Sequence, residues 1–164
     1  MRTTLQCNYY GTLEATRLFL PLIKDGGRLV NVSSGLGTLT KYPTAIRNSF
    51  LSAKTPGRIT GLMERFEQAV QQGNHKEEGW PSEAYAVSKA GVTGMTIAIA
   101  DEEKRKGSKT LINACCPGYV NTDMTKGKGM KTVDQGATTP VLLALGDIQD
   151  QSGLFWQSER PVDW

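Results

Sequence analysis

The stretch Ser82-Glu83-Ala84-Tyr85-Ala86-Val87-Ser88-Lys89 places a phenol, Tyr85, four positions before an ammonium, Lys89. On an α-helix, residues at this spacing share one face, so the two side chains lie side by side. The apolar residues that follow repeat at helical spacing as far as a charged run that ends at Gly107. This pattern predicts a long helix over 82–106, around which the other elements can be placed.

Helical and β-rich segments alternate on both sides of this helix. From apolar periodicity and glycine stops we predict helices over 1–24, near 58–72, over 82–106 and over 133–145, and strands over 28–33, 110–115 and 153–157. The helix over 133–145 is predicted in spite of Pro140. Strands that alternate with helices pair in parallel and are buried on both faces, so we predict an α/β fold.

Composition excludes several classes of protein. The 164 residues are 38% apolar and 21% charged, which is typical of a soluble globular domain. The net charge of +3 is too small to indicate a nucleic-acid or anionic-membrane partner. No apolar run reaches the roughly 18 residues of a membrane helix. Cys7 lies far from the adjacent Cys115 and Cys116, a pattern that fits neither disulfides nor zinc. We therefore predict a reducing, cytoplasmic location and no metal site.

For three local features we prefer a structural interpretation to a functional one. The basic cluster of Lys126, Lys128 and Lys131 is interpreted as a solvated loop rather than a phosphate site. His75 is the single histidine, and no motif in the sequence places a nucleophilic side chain beside it. A catalytic triad based on histidine is therefore disfavoured. Cys116 is interpreted as a small buried residue rather than a reactive thiol.

Tyr85 and Lys89 together can perform proton transfer. A free phenol has a pKa near 10, and a neighbouring ammonium lowers that pKa by favouring the phenolate. The phenol can then exchange a proton with a carbonyl or alcohol oxygen, which a serine hydroxyl such as Ser34 can orient. Ser34 ends a predicted strand, and open α/β folds bind ligands at the carboxyl ends of their strands. The alternative is a packed tyrosine beside a solvated lysine.

Several motifs in a fixed order resemble one enzyme family. They are Asn8-Tyr9-Tyr10-Gly11-Thr12, Asn31-Val32-Ser33-Ser34, Glu78-Gly79-Trp80-Pro81-Ser82, the Tyr85 and Lys89 pair, Asn113-Ala114-Cys115-Cys116-Pro117-Gly118 and Thr122-Asp123-Met124. Over essentially the whole chain this order resembles the short-chain dehydrogenase/reductase (SDR) family, and within it the monomeric carbonyl-reductase branch. The resemblance implies an NADP-dependent oxidoreductase with a Rossmann-like, doubly wound parallel sheet.

The resemblance also implies a role for each matched residue. Tyr85 is then the acid that protonates the carbonyl oxygen, and Lys89 binds the nicotinamide ribose and lowers the pKa of Tyr85. Ser34, rather than Ser33, bonds the substrate oxygen. Asn8 anchors a water that links Lys89 to solvent. The cofactor-binding residues are Tyr85, Lys89, Pro117, Gly118, Val120, Asn121 and Thr122. The substrate pocket contains Ser34, Leu36, Tyr119 and Met124, with Tyr119 standing where the branch often has tryptophan.

One family element is missing from the sequence. The family begins with a strand and a Thr-Gly-x-x-x-Gly-x-Gly loop that holds the cofactor pyrophosphate, and these 164 residues contain no such loop. We therefore expect the N-terminal half of the sheet to be absent and about three strands to remain. Residues 1–164 are then one partial Rossmann-fold domain, the catalytic half, with a helical insertion over 38–81. The residues that select NADPH over NADH lie outside this sequence.

Two hypotheses from different classes follow. The first is an NADPH-dependent carbonyl reductase that reduces small ketones, aldehydes or quinones to alcohols, and that is a monomer when complete because the insertion covers the family's subunit surface. The second is a catalytically inactive short form that acts only through a protein partner. In that form the open edge of the strand over 28–33 pairs with another chain or with a second copy. A small mononucleotide-binding module is disfavoured because no phosphate loop exists.

Overall fold

The computed structural model describes residues 2–164, and its centre is a four-stranded sheet. The strands are β1 (Arg28–Val32), β2 (Leu111–Cys116), β3 (Phe155–Gln157) and β4 (Arg160–Val162), in the order β1-β2-β3-β4. β1 pairs in parallel with β2, and β2 with β3, whereas β4 returns antiparallel to β3. The predicted α/β fold with parallel strands is confirmed.

The helices match most of the predicted ones. They are α1 (Arg2–Leu5), α2 (Gly11–Phe19), α3 (Thr44–Ser52), α4 (Pro56–Gln71), α5 (Ala84–Arg105) and α6 (Val133–Leu145). A π-helical turn over Gln6–Tyr10 joins α1 to α2, so the predicted first helix is continuous but irregular. It ends in a 3₁₀ turn over Leu20–Leu22, just before Gly26 takes a positive φ of 73°. Met1 of the predicted helix lies outside the described residues.

Alternate residues of the strands face two different cores. Leu29 and Ile112 pack with α5 and the first helix, whereas Val30 and Cys115 pack with Leu143 of α6 on the opposite face. This alternation follows from the two-residue period of a strand. The sheet is therefore covered by helices on both faces, as a doubly wound fold requires.

Helix α5 lies so deep in the structure that two glycines are needed where its neighbours touch it. A Cβ added at Gly91 would lie 2.7 Å from both Tyr9 Cδ2 and Met63 Sδ. At Gly94 it would lie 2.8 Å from Ile59 Cδ1. These contacts come from the first helix and from α4, so α5 is held on its outer side by two helices and on its inner side by β2.

Two elements were not predicted. In the 38–81 region we predicted one helix, and the structure has a second one, α3. This helix buries only Ile46 and Phe50, which is too few residues to give a recognisable apolar periodicity in the sequence. β4 has three residues, of which Pro161 cannot donate to a ladder. It forms because Ser158 and Glu159 both take positive φ and turn the chain back on β3.

Along residues 2–164, the outer edge of β1 has no strand beside it. Large apolar side chains in elements that adjoin β1 are exposed, among them Leu22, which precedes β1 in sequence, and Leu145, on α6, at 78% and 83%. None of the helices in the described part of the chain is long and apolar enough to cross a membrane.

Candidate active site

The chain segments that leave β1 and β2 lie side by side. The two strands are parallel, with Val32 opposite Cys115, so their carboxyl ends meet at one edge of the sheet. Ser34 follows β1, and Pro117 and Gly118 follow β2. A Cβ added at Gly35 would lie 3.8 Å from Cys116 Sγ, which shows how closely the two exits approach. Ligands of open parallel sheets bind at this edge.

Helix α5 brings Tyr85 and Lys89 to the same edge. Lys89 Nζ lies 5.7 Å from the centroid of the Tyr85 ring and donates a hydrogen bond to the carbonyl oxygen of Val32 at 2.9 Å. Tyr85 is 36% exposed, so its ring is accessible to a ligand. The ammonium has three N–H donors, and the bond to Val32 uses one of them. Two donors are left for a ligand beside Tyr85.

The turn after β1 packs directly on α5 at Gly37. A Cβ added there would lie 2.5 Å from the backbone nitrogen of Ala90 and 2.6 Å from the carbonyl carbon of Lys89. Only a glycine permits this approach of two backbones. The contact sets the distance between the turn that carries Ser34 and the helical turn that carries Lys89.

The two adjacent serines have different environments. Ser33 is buried, donates to the backbone oxygen of Lys89 at 2.9 Å and exchanges a hydrogen bond with Thr93 Oγ1 at 2.7 Å. Ser34 is partly exposed, and its hydroxyl oxygen accepts from the backbone N–H of Leu36 at 3.2 Å. The Ser34 hydroxyl therefore keeps its own proton available to a ligand, whereas Ser33 joins β1 to α5.

Asn8 lies in the π-helical turn and reaches the first turns of α5. Its Nδ2 donates to Ser88 Oγ at 3.1 Å, and Ser88 Oγ donates in turn to the backbone oxygen of Tyr85 at 2.7 Å. π-helical turns often occur at functional sites because they redirect a side chain. Ser88 was not among the predicted site residues, although its position between Tyr85 and Lys89 was the available signal. The predicted water between Asn8 and Lys89 stays a prediction.

Burial lowers the pKa of Lys89, and the nearby cysteines, Cys116 first among them, act in the opposite direction. Burial also raises the pKa of Cys115 to about 12, so that thiol stays neutral and offers no charge to Lys89 at neutral pH. Cys116 is buried and accepts a hydrogen bond from the backbone N–H of Gly118 at 3.3 Å. The Lys89 ammonium is thus incompletely solvated and has no carboxylate partner among the described residues.

Because the pKa of Lys89 is lowered in the folded state, this lysine should reduce the free energy of unfolding by an amount that depends on pH. Below its folded-state pKa the lysine is charged in both states, and the folded state bears the full desolvation cost. That cost disappears as the pH rises through the folded pKa towards the unfolded value of 10.5. We expect Lys89→Met to unfold at a higher temperature than the wild type near neutral pH, by an amount that shrinks in alkaline solution. Thermal unfolding across pH, with the exposed Lys104→Met as control, measures this difference; a constant difference would contradict it.

The loop after β2 carries the predicted cofactor residues and is closed at its base. Gly118 has a φ of 90°, and Lys131 lies against it, with Nζ 3.4 Å from the backbone oxygen of Pro117. Val120 pairs with Lys131, and the backbone N–H of Asn121 donates to the Lys131 oxygen at 2.8 Å. The loop therefore projects from a fixed base beside the carboxyl ends of β1 and β2.

These residues suit the nicotinamide end of a dinucleotide. Lys89 offers two ammonium N–H groups for ribose hydroxyls. At Gly118 the place of a side chain is taken by Lys131, whose Cδ would lie 2.9 Å from an added Cβ, so a cofactor can meet only the other side of this backbone. No glycine-rich turn between a strand and a helix is found in the described residues to hold the pyrophosphate. The fit therefore covers one end of the cofactor.

The predicted pocket residues have exposed side chains around this edge. Leu36 and Tyr119 are each 50% exposed, and Met124 is 86% exposed. Thr122 is exposed too, and it caps the short turn that carries Met124.

The chain is similar to known reductases in both sequence and structure. Residues 69–132 match the family model for short chain dehydrogenases. The chain is 42% identical to carbonyl reductase (NADPH) 1 of Mus musculus and of Homo sapiens, over 98% of its own length and 61% of theirs. Its structure superposes on salutaridine reductase from Papaver somniferum with a TM-score of 0.82 and 30% identity, over 93% of this chain and 53% of that one. The chain thus spans about three fifths of the length of the curated relatives it matches.

Proposed function

We propose that the chain is a member of the short-chain dehydrogenase family and that it carries the catalytic part of an NADPH-dependent carbonyl reductase. Its substrates are small ketones, aldehydes or quinones, which it reduces to alcohols. The observation that carries the proposal is the position of Lys89 Nζ, 5.7 Å from the Tyr85 ring centroid and bonded to the end of β1. The names of the similar carbonyl reductases support the same chemistry and the same cofactor.

In the proposed reaction Tyr85 and Ser34 share the substrate oxygen. The Ser34 hydroxyl donates to that oxygen, and the Tyr85 phenol transfers its proton to it as the carbonyl carbon becomes tetrahedral. The ammonium of Lys89 stabilises the phenolate that Tyr85 becomes. Bound NADPH supplies the hydride that the carbonyl carbon accepts. Asn8, through the Ser88 hydroxyl, holds the first turns of α5 in the required orientation.

The cofactor residues of the proposal lie next to that proton donor. The Lys89 ammonium would bind the nicotinamide ribose, and the backbone at Pro117 and Gly118 would help to hold the nicotinamide. The remaining contacts come from the loop residues Val120, Asn121 and Thr122. Support comes from the fixed base of this loop, where Asn121 is bonded to Lys131.

The direct test is the stoichiometry of ketone reduction by the purified chain. With NADPH and an aryl ketone such as benzophenone, we expect one alcohol formed for each NADPH consumed, measured by chromatography and by NADPH absorbance. Consumption of NADPH without alcohol, or none at all, would reject the proposed function for this chain.

A second candidate function rests on the open edge of β1. Leu22 and Leu145 are exposed near this edge, and Phe19 at the end of α2 is exposed at 63%. A strand edge between exposed apolar side chains is a template for pairing with another chain. We propose self-association or partner binding through this edge as the alternative to catalysis by the chain alone.

Adding charge at this edge tests the second candidate. We expect the double variant Leu22→Lys/Leu145→Lys to sediment at a lower weight-average mass than the wild type at the same concentration, because two charges on this exposed apolar surface oppose its burial against another chain. Met130→Lys is the matched control, since Met130 is 88% exposed and lies in the loop after β2. Equal masses for wild type and double variant would exclude association through β1.

A further inference from the structure

A cleft of about 530 Å³ lies between the 38–81 region and the N-terminal end of α5. Its lining includes Leu36, two residues after Ser34 in sequence, and Ala86, the residue after Tyr85. Its other side is formed by Tyr42 and Trp80, whose rings both stack edge-on against Phe50, with centroids 5.8 and 6.3 Å away. One wall is therefore aromatic.

Two polar atoms of this aromatic wall have no hydrogen-bond partner among residues 2–164. They are the Tyr42 hydroxyl and the Trp80 Nε1, and both side chains are more than nine-tenths buried. Burial raises the pKa of Tyr42, so its hydroxyl keeps its proton. The indole N–H can only donate. An unpaired buried donor is costly, so both atoms favour a bound acceptor.

Two lysines at the mouth of the cleft add positive charge. Lys41 and Lys76 both line it and are exposed, whereas Glu83 is the single acidic side chain of the lining. Neither lysine forms an ion pair within the described residues. Two cations against one carboxylate in the lining are complementary to an anionic group with oxygen acceptors.

We propose that this cleft binds the part of the carbonyl substrate remote from the reacting C=O, and that this part is aromatic and carries a carboxylate. The aromatic portion packs on Tyr42 and Trp80, and the carboxylate faces Lys41 and Lys76. The inference rests on the proposed function for the position of the C=O at Tyr85. It goes further in naming an anionic aryl ketone as the substrate class.

Two matched ketones test this inference on the full chain. 4-Benzoylbenzoate is an anionic aryl ketone, and its methyl ester is the uncharged counterpart. We expect calorimetric titration without cofactor to give about tenfold tighter binding of the acid, the factor that one charge-assisted contact supplies. The double variant Lys41→Gln/Lys76→Gln should remove this preference. The control Lys104→Gln/Lys109→Gln, which loses the same charge elsewhere, should keep it.

Tyr42→Phe separates a binding role from a structural one. The hydroxyl has no protein partner, so its removal should leave the unfolding temperature unchanged while weakening binding of the acid about threefold. Equal affinity of the wild type for acid and ester, or equal loss in both lysine double variants, would overturn the inference.

Turnover separates this inference from the proposed function. If both ketones are reduced with equal KM, the carbonyl reductase stands and the anionic cleft is rejected. If the acid binds with the expected preference but no alcohol forms, the cleft stands and the reductase assignment falls.

Discussion

The Tyr85→Phe variant is expected to reduce ketones about 10²–10⁴-fold more slowly than the wild-type chain, the range that a positioned general acid contributes. The substitution removes the proton donor and keeps the ring beside Lys89. Binding of NADPH should change little, because phenylalanine leaves the Lys89 ammonium and the loop after β2 in place. The measurement is kcat for ketone reduction together with the Kd of NADPH.

Tyr10→Phe is the matched control for this experiment. Its hydroxyl donates to Glu67 at 3.3 Å, in the contact between the first helix and α4, so its loss removes one phenol away from the site. Reduction that persists at the wild-type rate in Tyr85→Phe would reject Tyr85 as the acid. A loss of equal size in both variants would indicate damage to the fold.

Gly37→Ala is expected to lower the free energy of unfolding by about 1–3 kcal/mol, the usual cost of forcing extra atoms into a packed contact. The added Cβ would lie 2.5 Å from the backbone nitrogen of Ala90, and a helix backbone cannot move aside as a flexible side chain can. The unfolding temperature should fall by about 2–4 °C for each kcal/mol in a chain of this size. Ketone reduction should also fall, because the turn with Ser34 is pushed away from Lys89.

Gly61→Ala gives the opposite expectation with the same chemical change. Gly61 lies inside α4, and an added Cβ would meet nothing within 4 Å. Alanine should therefore stabilise the chain by about 0.5–1 kcal/mol through helix propensity alone. If Gly37→Ala unfolds at the same temperature as Gly61→Ala, the close approach of the turn to α5 is not a constraint on the fold.

The sequence was sufficient to predict the elements that have a strong period or a sharp stop. Helix α5 was predicted over 82–106 and spans Ala84–Arg105, because its apolar positions and Gly107 mark both its course and its end. Helix α3 and strand β4 were missed, since α3 buries only Ile46 and Phe50 and β4 has three residues that include Pro161. The π-helical turn at Asn8 leaves no compositional signal at all.

The site was predictable in part for a similar reason. The spacing of Tyr85 and Lys89 places them on one face of a helix without reference to the rest of the chain. Residue spacing could not show that Lys89 bonds the end of β1, because that contact joins residues 57 positions apart. The donors of Tyr42 and Trp80 likewise meet in one cleft only after the 38–81 region has folded back on α5.

The burial of α5 between two helices and the sheet has a consequence for how this protein can change over time. Gly91 and Gly94 let neighbouring elements pack closely on α5, the helix that carries Tyr85 and Lys89. The side chains around them, such as Leu36, Tyr119 and Met124, are exposed and can be exchanged at little cost to the core. New ligand preferences can therefore arise by substitution at the rim while the reacting groups stay where they are.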